Sequence, residues 1–353
     1  MDGRPVEDSV LGACVELVRR AVAGLPASLG DTTQFEVLTV AALLALRESG
    51  VEAVALEAGL GGRLDATNVV VAPVVVLTNI ALEHTEVLGD TRELIFAEKA
   101  AVIKSGVAVF GELDGLEAEA GRICREAGAR PYYFSAVGPG SGDVWASGGP
   151  DCFTVGMRGD AGPEKWAGLS VPTPALYQVQ NAALAVAAVR LLLGRLDADA
   201  ARAALAGTPV PGRLQKVGER PLVLADGAHN PDGVRVLAQS LAAVNVPAPT
   251  VGVLAIMRDK DYESMLERFL PLLDQVVCTR ASEARSLPAP ELAEAVRVAA
   301  AALGRQAPEV TVELDPHRAL ALGRTLAGED GSVLVGGSLY LLEDLHDVLA
   351  PAG

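Results

Sequence analysis

Basic charge is scarce in this chain of 353 residues: 29 Lys and Arg stand against 45 Asp and Glu, for a formal net charge of -16. A nucleic-acid backbone is held by clustered cations that displace its counterions, so that class of partner is excluded. The 4 cysteines, Cys14, Cys124, Cys152 and Cys278, form no C-x-x-C pair. They exclude a disulfide framework and a thiolate zinc site, and read as small hydrophobes in a reducing compartment. The longest apolar run, VVVAPVVVL at 69–77, is too short for a bilayer and carries a proline. The opening MDGRPVEDSV has no basic stretch followed by an apolar one, so no secretory signal is expected. The protein is assigned to the cytoplasm, with no membrane partner. One further absence matters most. The stretch EAGLGGRLDATN (57–68) has the glycines of a phosphate-wrapping loop, yet the chain contains no Gly-Lys pair and no lysine before Lys99. A phosphate loop of the G-x-x-x-x-G-K-[ST] type is therefore not among its motifs.

What the chain does have is core-forming material. Half of its residues are hydrophobic and only 4% are aromatic. That length and composition predict two domains of mixed helix and sheet. Apolar β-branched runs alternate with helical periodicity, the pattern of a mostly parallel sheet covered by helices, an α/β fold. VEAVALE (51–57), VVVLTNI (74–80) and VAVFGEL (107–113) are predicted as strands. FEVLTVAALLALRESG (35–50) and TRELIFAEKAAVIKSG (91–106) are predicted as helices, each closed by Gly. AVGPGSGDVWASGGP (136–150) reads as a turn-rich excursion before a hairpin around DCFTVGM, and a helix follows at 178–194. GTPVPGR (207–213) then punctuates the chain as a hinge between domains 1–206 and 214–353. Beyond it the alternation restarts, with strands at PLVLAD, TVGVLAI, QVVCTR, VTVEL and VLVGG.

In open parallel sheets, ligands bind beyond the carboxyl ends of the strands. Glu57, Asn79 and Asp226 fall there, and His84 lies a few residues past Asn79. Taken singly, a Glu or His at a strand end is most often a satisfied surface or capping residue. Lys99 raises a separate question. Helical spacing puts Ile95, Lys99, Val102 and Ile103 on one face, which points Lys99 at the sheet. A buried ammonium must be paired, neutralised or modified, unless its stem snorkels to water. Glu98 points elsewhere and is not its obvious partner. DGAHNP (226–231) predicts a strand-to-helix turn with Asn230 as the cap and Pro231 at the first helical position. GGSLYLLEDL (336–345) predicts a second such turn, where the N–H groups of Gly337 and Ser338 suit an anion.

Together, TTQFEVLT, EAGLGGRLDATN, LTNIALEH, AEKAAVIK, QVQNAALA, PGRLQ, DGAHNP and GGSLYLLEDL resemble the folylpolyglutamate synthase/dihydrofolate synthase family, a branch of the Mur ligases. The blocks keep the family's order over nearly the whole chain. The resemblance implies a Mur-ligase-type central ATPase domain and a smaller Rossmann-like C-terminal domain. It implies a monomer that uses ATP and Mg²⁺ to join L-glutamate to dihydropteroate or a folate through an acyl phosphate. By the same resemblance, Glu57 and His84 are Mg²⁺ ligands and Lys99 is carbamylated. Phe35, Leu64, Asp65 and Ala66 border the pterin. Asn181, Arg213 and Asp226 contact ATP, and His229 and Ser338 lie on the glutamate side. Lys99, His229 and Asp226 are the catalytic candidates.

The chain departs from the family pattern in places. The family's phosphate loop and a Ser-Pro-His segment precede the point that Met1-Asp2-Gly3 matches, so both are expected upstream. Glu83 stands where the family favours Asp, and Tyr177 where His is common. The competing expectation is a non-catalytic relative that binds folate or glutamate without hydrolysing ATP. A nicotinamide oxidoreductase is disfavoured, because GLGGRL lacks the G-x-G-x-x-G spacing.

Overall fold

Valine-rich runs of four or five residues form most of the strands, and apolar helical stripes cover them. The computed structural model describes residues 3–138, 140–159, 162–304, 306 and 308–349. Met1 and Asp2 of the opening stretch, and Pro139 of the 136–150 excursion, lie outside the described residues. The chain divides into two compact units, Met1–Pro131 and Tyr132–Gly353.

In the first unit, helices α1 (Asp8–Ala23) and α2 (Gln34–Glu48) pack through Cys14, Val18, Ala41 and Ala45. A capping box starts α2: the Thr33 hydroxyl accepts from the Glu36 N–H, and the Glu36 carboxylate accepts from the Thr33 N–H. Strand β1 (Val74–Leu77) leads through α3 (Thr85–Leu88) and α4 (Arg92–Ala100) to β2 (Val107–Phe110). The two strands pair in parallel, from Val74 opposite Val107 to Leu77 opposite Phe110. Helix α5 (Glu117–Ala127) follows.

Two sequence expectations fail here. VEAVALE forms no strand: the segment pairs with no neighbour among the described residues, and Val54 and Leu56 are 45% and 42% exposed. A strand exists only as one side of a hydrogen-bonded ladder, and apolar composition alone does not provide the other side. Helix α4 ends at Ala100 rather than near residue 105, because the chain must turn to enter β2. Gly106 makes that turn at φ +74°, where a Cβ would meet the Pro73 carbonyl oxygen at 2.3 Å.

Strand β3 (Arg130–Ser135) carries the chain into the second unit and pairs in parallel with β4 (Val144–Gly149) at Phe134–Val144. Strands β4, β5 (Cys152–Gly159) and β6 (Gly162–Leu169) are antiparallel, so the expected hairpin forms. The excursion read at 136–150 is half strand, however. Val144 and Trp145 are buried, and the indole lies against Gly156, where a Cβ would meet it at 2.1 Å. Helix α6 (Tyr177–Leu193) packs on β4 and β5, and α7 (Ala198–Gly207) on β6.

The remainder is a doubly covered sheet. Its elements are β7 (Gln215–Glu219), β8 (Leu222–Ala225), α8 (Pro231–Ala243), β9 (Thr250–Leu254), α9 (Tyr262–Phe269), β10 (Gln275–Cys278), α10 (Ala289–Ala302), β11 (Glu309–Val312), α11 (Pro316–Ala327), β12 (Ser332–Gly336), α12 (Leu339–Asp344) and α13 (His346–Leu349). The strand order is β11-β10-β9-β12-β8-β7, parallel except for the antiparallel edge strand β7. Alternate strand residues face opposite layers. Leu224, Leu254, Val276 and Leu334 meet α8, α9 and α10 on one side. Val223, Val253, Val277 and Val333 meet α11, α12 and α13 on the other. Phe269 is fully buried in the first layer. Phe269→Ala is expected to lower unfolding stability by about 3–5 kcal/mol through cavity formation, measured by urea denaturation. A loss under about 1 kcal/mol would mean that this layer is not close-packed.

Candidate active site

In the first unit the EAGLGGRLDATN loop is shaped by Asp65. One oxygen of its carboxylate accepts from the N–H groups of Gly59 and Leu60, both at 2.9 Å. The other accepts from the Thr67 N–H at 2.9 Å and the Thr67 hydroxyl at 2.5 Å. Partial burial pushes the carboxyl upward, but these four bonds outweigh it and hold Asp65 below the usual carboxylate range. Asp65 therefore closes the loop on itself and caps the turn that follows.

The loop is pinned to the carboxyl end of α4. The Arg63 N–H donates to the Glu98 carbonyl at 3.0 Å, and the Arg63 guanidinium meets the Glu98 carboxylate at 2.8 Å. A Cβ at Gly62 would stand 2.7 Å from the carbonyl oxygens of Glu98 and Lys99, so only glycine allows this approach. Glu98 is thus engaged with Arg63, consistent with its pointing away from Lys99. Lys99 itself is half-buried; the buried positions of α4 are Ile95, Phe96 and Ala100. Helix α4 ends one residue later, so Val102 and Ile103 do not extend the face that carries Lys99.

Phe35, at the start of α2, lays its ring against Gly59, where a Cβ would meet ring atoms at 2.5 Å. It remains substantially exposed, Leu64 is 92% exposed, and Ala66 is half-buried. The structure thus brings Phe35, the glycine loop and Lys99's main chain together. Glu57 and His84 are exposed on loops of this unit. His84 holds a left-handed backbone at φ 51°, ψ 40° before α3. Among the described residues no three His, Cys, Asp or Glu side chains gather as a metal cage. The Glu57 carboxylate is the oxygen donor that suits Mg²⁺, which keeps several waters and shares its shell with substrate phosphates, and the His84 imidazole is a softer donor.

The second unit centres on Asp226, at the end of β8 and 2% exposed. One carboxylate oxygen accepts from the Tyr177 hydroxyl and from the Leu214 N–H, both at 2.7 Å. The other accepts from the Ala228 N–H at 2.8 Å. Burial pushes the carboxyl above its ordinary range, and these donors with the charge of Arg213 offset part of that shift. The Tyr177 phenol is pushed up in turn by burial and by the adjacent carboxylate. Sequence reasoning noted Tyr177 only as a departure. A hydroxyl on the first residue of a helix gives no hint of a carboxylate 49 residues away.

DGAHNP folds as expected, with the Asn230 side chain accepting from the Gly233 N–H at 2.7 Å and Pro231 opening α8. His229 Nδ1 lies 2.9 Å from the Gly227 carbonyl, which can only accept, so a neutral ring carries its proton on Nδ1. Ser338 is buried and caps α12, accepting from the Tyr340 N–H at 3.1 Å. Gly337, at φ +92°, packs so tightly that a Cβ would sit 2.8 Å from the Ala255 carbonyl oxygen. Arg213 is exposed, with its carbonyl accepting from the Thr173 hydroxyl at 2.6 Å. Asn181 is exposed on α6 and donates to Gln178 at 3.1 Å.

A parallel sheet with helices on both faces, and a buried acid at the end of β8, define the class: residues 212–339 match the Mur ligase glutamate ligase domain. The dihydrofolate synthase/folylpolyglutamate synthase of Mycobacterium tuberculosis is 33% identical over 318 residues, spanning 83% of this chain and 63% of that protein. Folylpolyglutamate synthase of the same organism, solved with ADP and AMPPCP, superposes with a TM-score of 0.86 at 28% identity, over 99% of this chain and 80% of that one. Escherichia coli FolC in complex with DHPP and ADP gives a TM-score of 0.84 at 29% identity, over 98% and 77%. Along nearly its whole length the chain is similar to folylpolyglutamate synthases and dihydrofolate synthases, and residues 212–339 match the Mur ligase domain. It spans just under two thirds of the length of the M. tuberculosis relative.

Tyr177→Phe removes one donor from a buried carboxylate and is expected to destabilise the second unit by about 1–3 kcal/mol in denaturant titration. A neutral result would mean that water replaces the hydroxyl. The pH dependence has a definite sign. Because the folded pKa of Asp226 is raised, its contribution is fully present below the ordinary value of 3.8 and is lost as pH rises through the raised value. Asp226→Asn should therefore gain melting temperature relative to the unaltered chain as pH rises across that window. A constant difference between the two melting curves would contradict the shift.

Proposed function

We propose that this protein is an ATP-dependent ligase that adds L-glutamate to dihydropteroate or to a folate and its polyglutamates. A carboxylate oxygen of the pterin-linked substrate attacks the γ-phosphorus of ATP, and ADP leaves. The amine of glutamate then attacks the acyl carbon, the amine loses a proton, and inorganic phosphate leaves as the amide forms. The observation that carries this reading is the Asp226 node, which orders the DGAHNP turn inside the segment matching a glutamate ligase domain.

Roles are assigned within each unit. In the first, Glu57 and His84 would hold Mg²⁺, which neutralises phosphate charge when bound. Lys99, half-buried against the glycine loop, would be carbamylated and support that site as an anion. The exposed Phe35 ring and Leu64, with Ala66, would border the pterin, while Asp65 sets the shape of their loop. In the second, Arg213 and Asn181 would face the nucleotide, with Asp226 holding Leu214 and so the position of Arg213. His229 and Ser338 would serve the glutamate side. The 207–213 connection is placed as the hinge between an ATP, Mg²⁺ and folate domain and the glutamate-ligase domain. A cytoplasmic monomer completes the reading; among the described residues no helix is long and apolar enough to cross a membrane.

The test is glutamate-dependent ADP release by the purified protein with ATP, Mg²⁺ and dihydropteroate or tetrahydrofolate. Glu57→Ala and His84→Ala should each abolish it. Release retained in both would sink the metal assignment. No release from the unaltered chain, with no rise in melting temperature from ATP and Mg²⁺, would sink the ligase reading itself.

A further inference from the structure

Arg92 breaks a local rule. It is the first residue of α4, where the helix dipole disfavours a cation, yet it is half-buried there. Its guanidinium explains the placement, because it donates to three main-chain carbonyls. Nε reaches the Ile80 carbonyl at 3.1 Å, Nη2 the Leu113 carbonyl at 2.8 Å, and Nη1 the Asp114 carbonyl at 3.1 Å. Nη2 also lies 3.8 Å from the Asp114 carboxylate. Ile80 belongs to the loop after β1, and Leu113 and Asp114 to the loop after β2. One planar fork therefore ties together the loops at the carboxyl ends of two adjacent parallel strands. Lysine, with a single ammonium, cannot span three acceptors in that geometry.

Both tied loops carry left-handed backbone. His84 sits at φ 51°, four residues after Ile80, and Asp114 sits at φ 49°. Such conformations persist only where surrounding bonds over-determine them. The loop between Ile80 and His84 makes no ladder pairing among the described residues. Arg92 is anchored in turn by the cap of α4, where the Thr91 hydroxyl accepts from the Leu94 N–H at 3.3 Å.

We infer that Arg92 is a positioning residue: by holding the Ile80 carbonyl it fixes the loop that presents His84 to the metal side of the reaction. This rests on the reading of His84 given above. Groups behind a metal ligand typically change metal affinity by about 10–100-fold when removed. Arg92→Met should therefore raise the Mg²⁺ concentration for half-maximal ADP release at least about tenfold, leaving the KM for L-glutamate within about twofold. Arg92→Lys, which keeps the charge and one donor, should fall between, and Arg122→Met, on the outer face of α5, should leave both values unchanged.

Hydrogen exchange on the same variants gives a readout independent of turnover. Amides at 80–84 and 113–115 should exchange faster in Arg92→Met while those of β1 and β2 keep their protection. Unchanged Mg²⁺ dependence, or equal shifts in Mg²⁺ and glutamate dependence, would overturn the inference. If the unaltered chain releases no ADP, the ligase reading fails by itself and the exchange pattern decides Arg92. Unchanged protection at 80–84 would then refute the clamp. Should Arg92→Met not fold, the same two readouts on Arg92→Lys decide: wild-type values in both would refute it.

Discussion

A carboxylate withdrawn from water must fill its acceptor sites or be expelled, and Asp226 is the residue on which that constraint falls. Its two oxygens take donors from the start of α6, from the chain entering β7 and from the turn after β8. No pair of these segments is adjacent in sequence, so the carboxylate fixes three backbone paths at once. Gly227, Ala228 and His229 follow directly from it, and Arg213 precedes the amide that it holds. The backbone positions of Arg213 and His229 thus depend on one satisfied buried carboxylate.

Asp65 does the same in the first unit with less burial. Four bonds from three residues turn a glycine-rich stretch into a fixed loop. The loop needs no lysine to hold its shape, since the internal carboxylate organises the main-chain N–H groups that a phosphate would otherwise attract. The remaining candidates of this unit, Glu57 and His84, stay exposed. Asp65, whose carboxylate builds the loop, and Glu57, whose side chain is exposed, thus differ in surroundings although the functional group is the same.

Much of the architecture was legible along the chain. The inner strands of the C-terminal sheet follow their valine-rich runs because they are covered on both faces, so periodicity and burial agree, while the edge strands β7 and β11 are only partly buried. Caps were legible for the same reason: Asn230, Pro231 and Gly50 act through local geometry. Failures occurred where a distant partner decides. VEAVALE has strand composition without a ladder partner, and within the Gly-rich 136–150 segment Val144–Gly149 pairs as a strand, where Gly156 on the next strand accommodates the Trp145 ring. The end of the helix that carries Lys99 was placed too late, since the length of α4 depends on how the chain enters β2.

The sequence by itself determined the alternation of strand and helix, the turn chemistry of DGAHNP and the residue types available for phosphate, carboxylate and amine chemistry. These depend on side-chain type and short spacing, which folding does not change. Only the tertiary structure decided that Tyr177 donates to Asp226, that Gly62 admits the main chain of Lys99, and that Arg92 binds two loops together. Each of those is a contact between segments far apart in the chain, and its existence depends on the packing of everything between them.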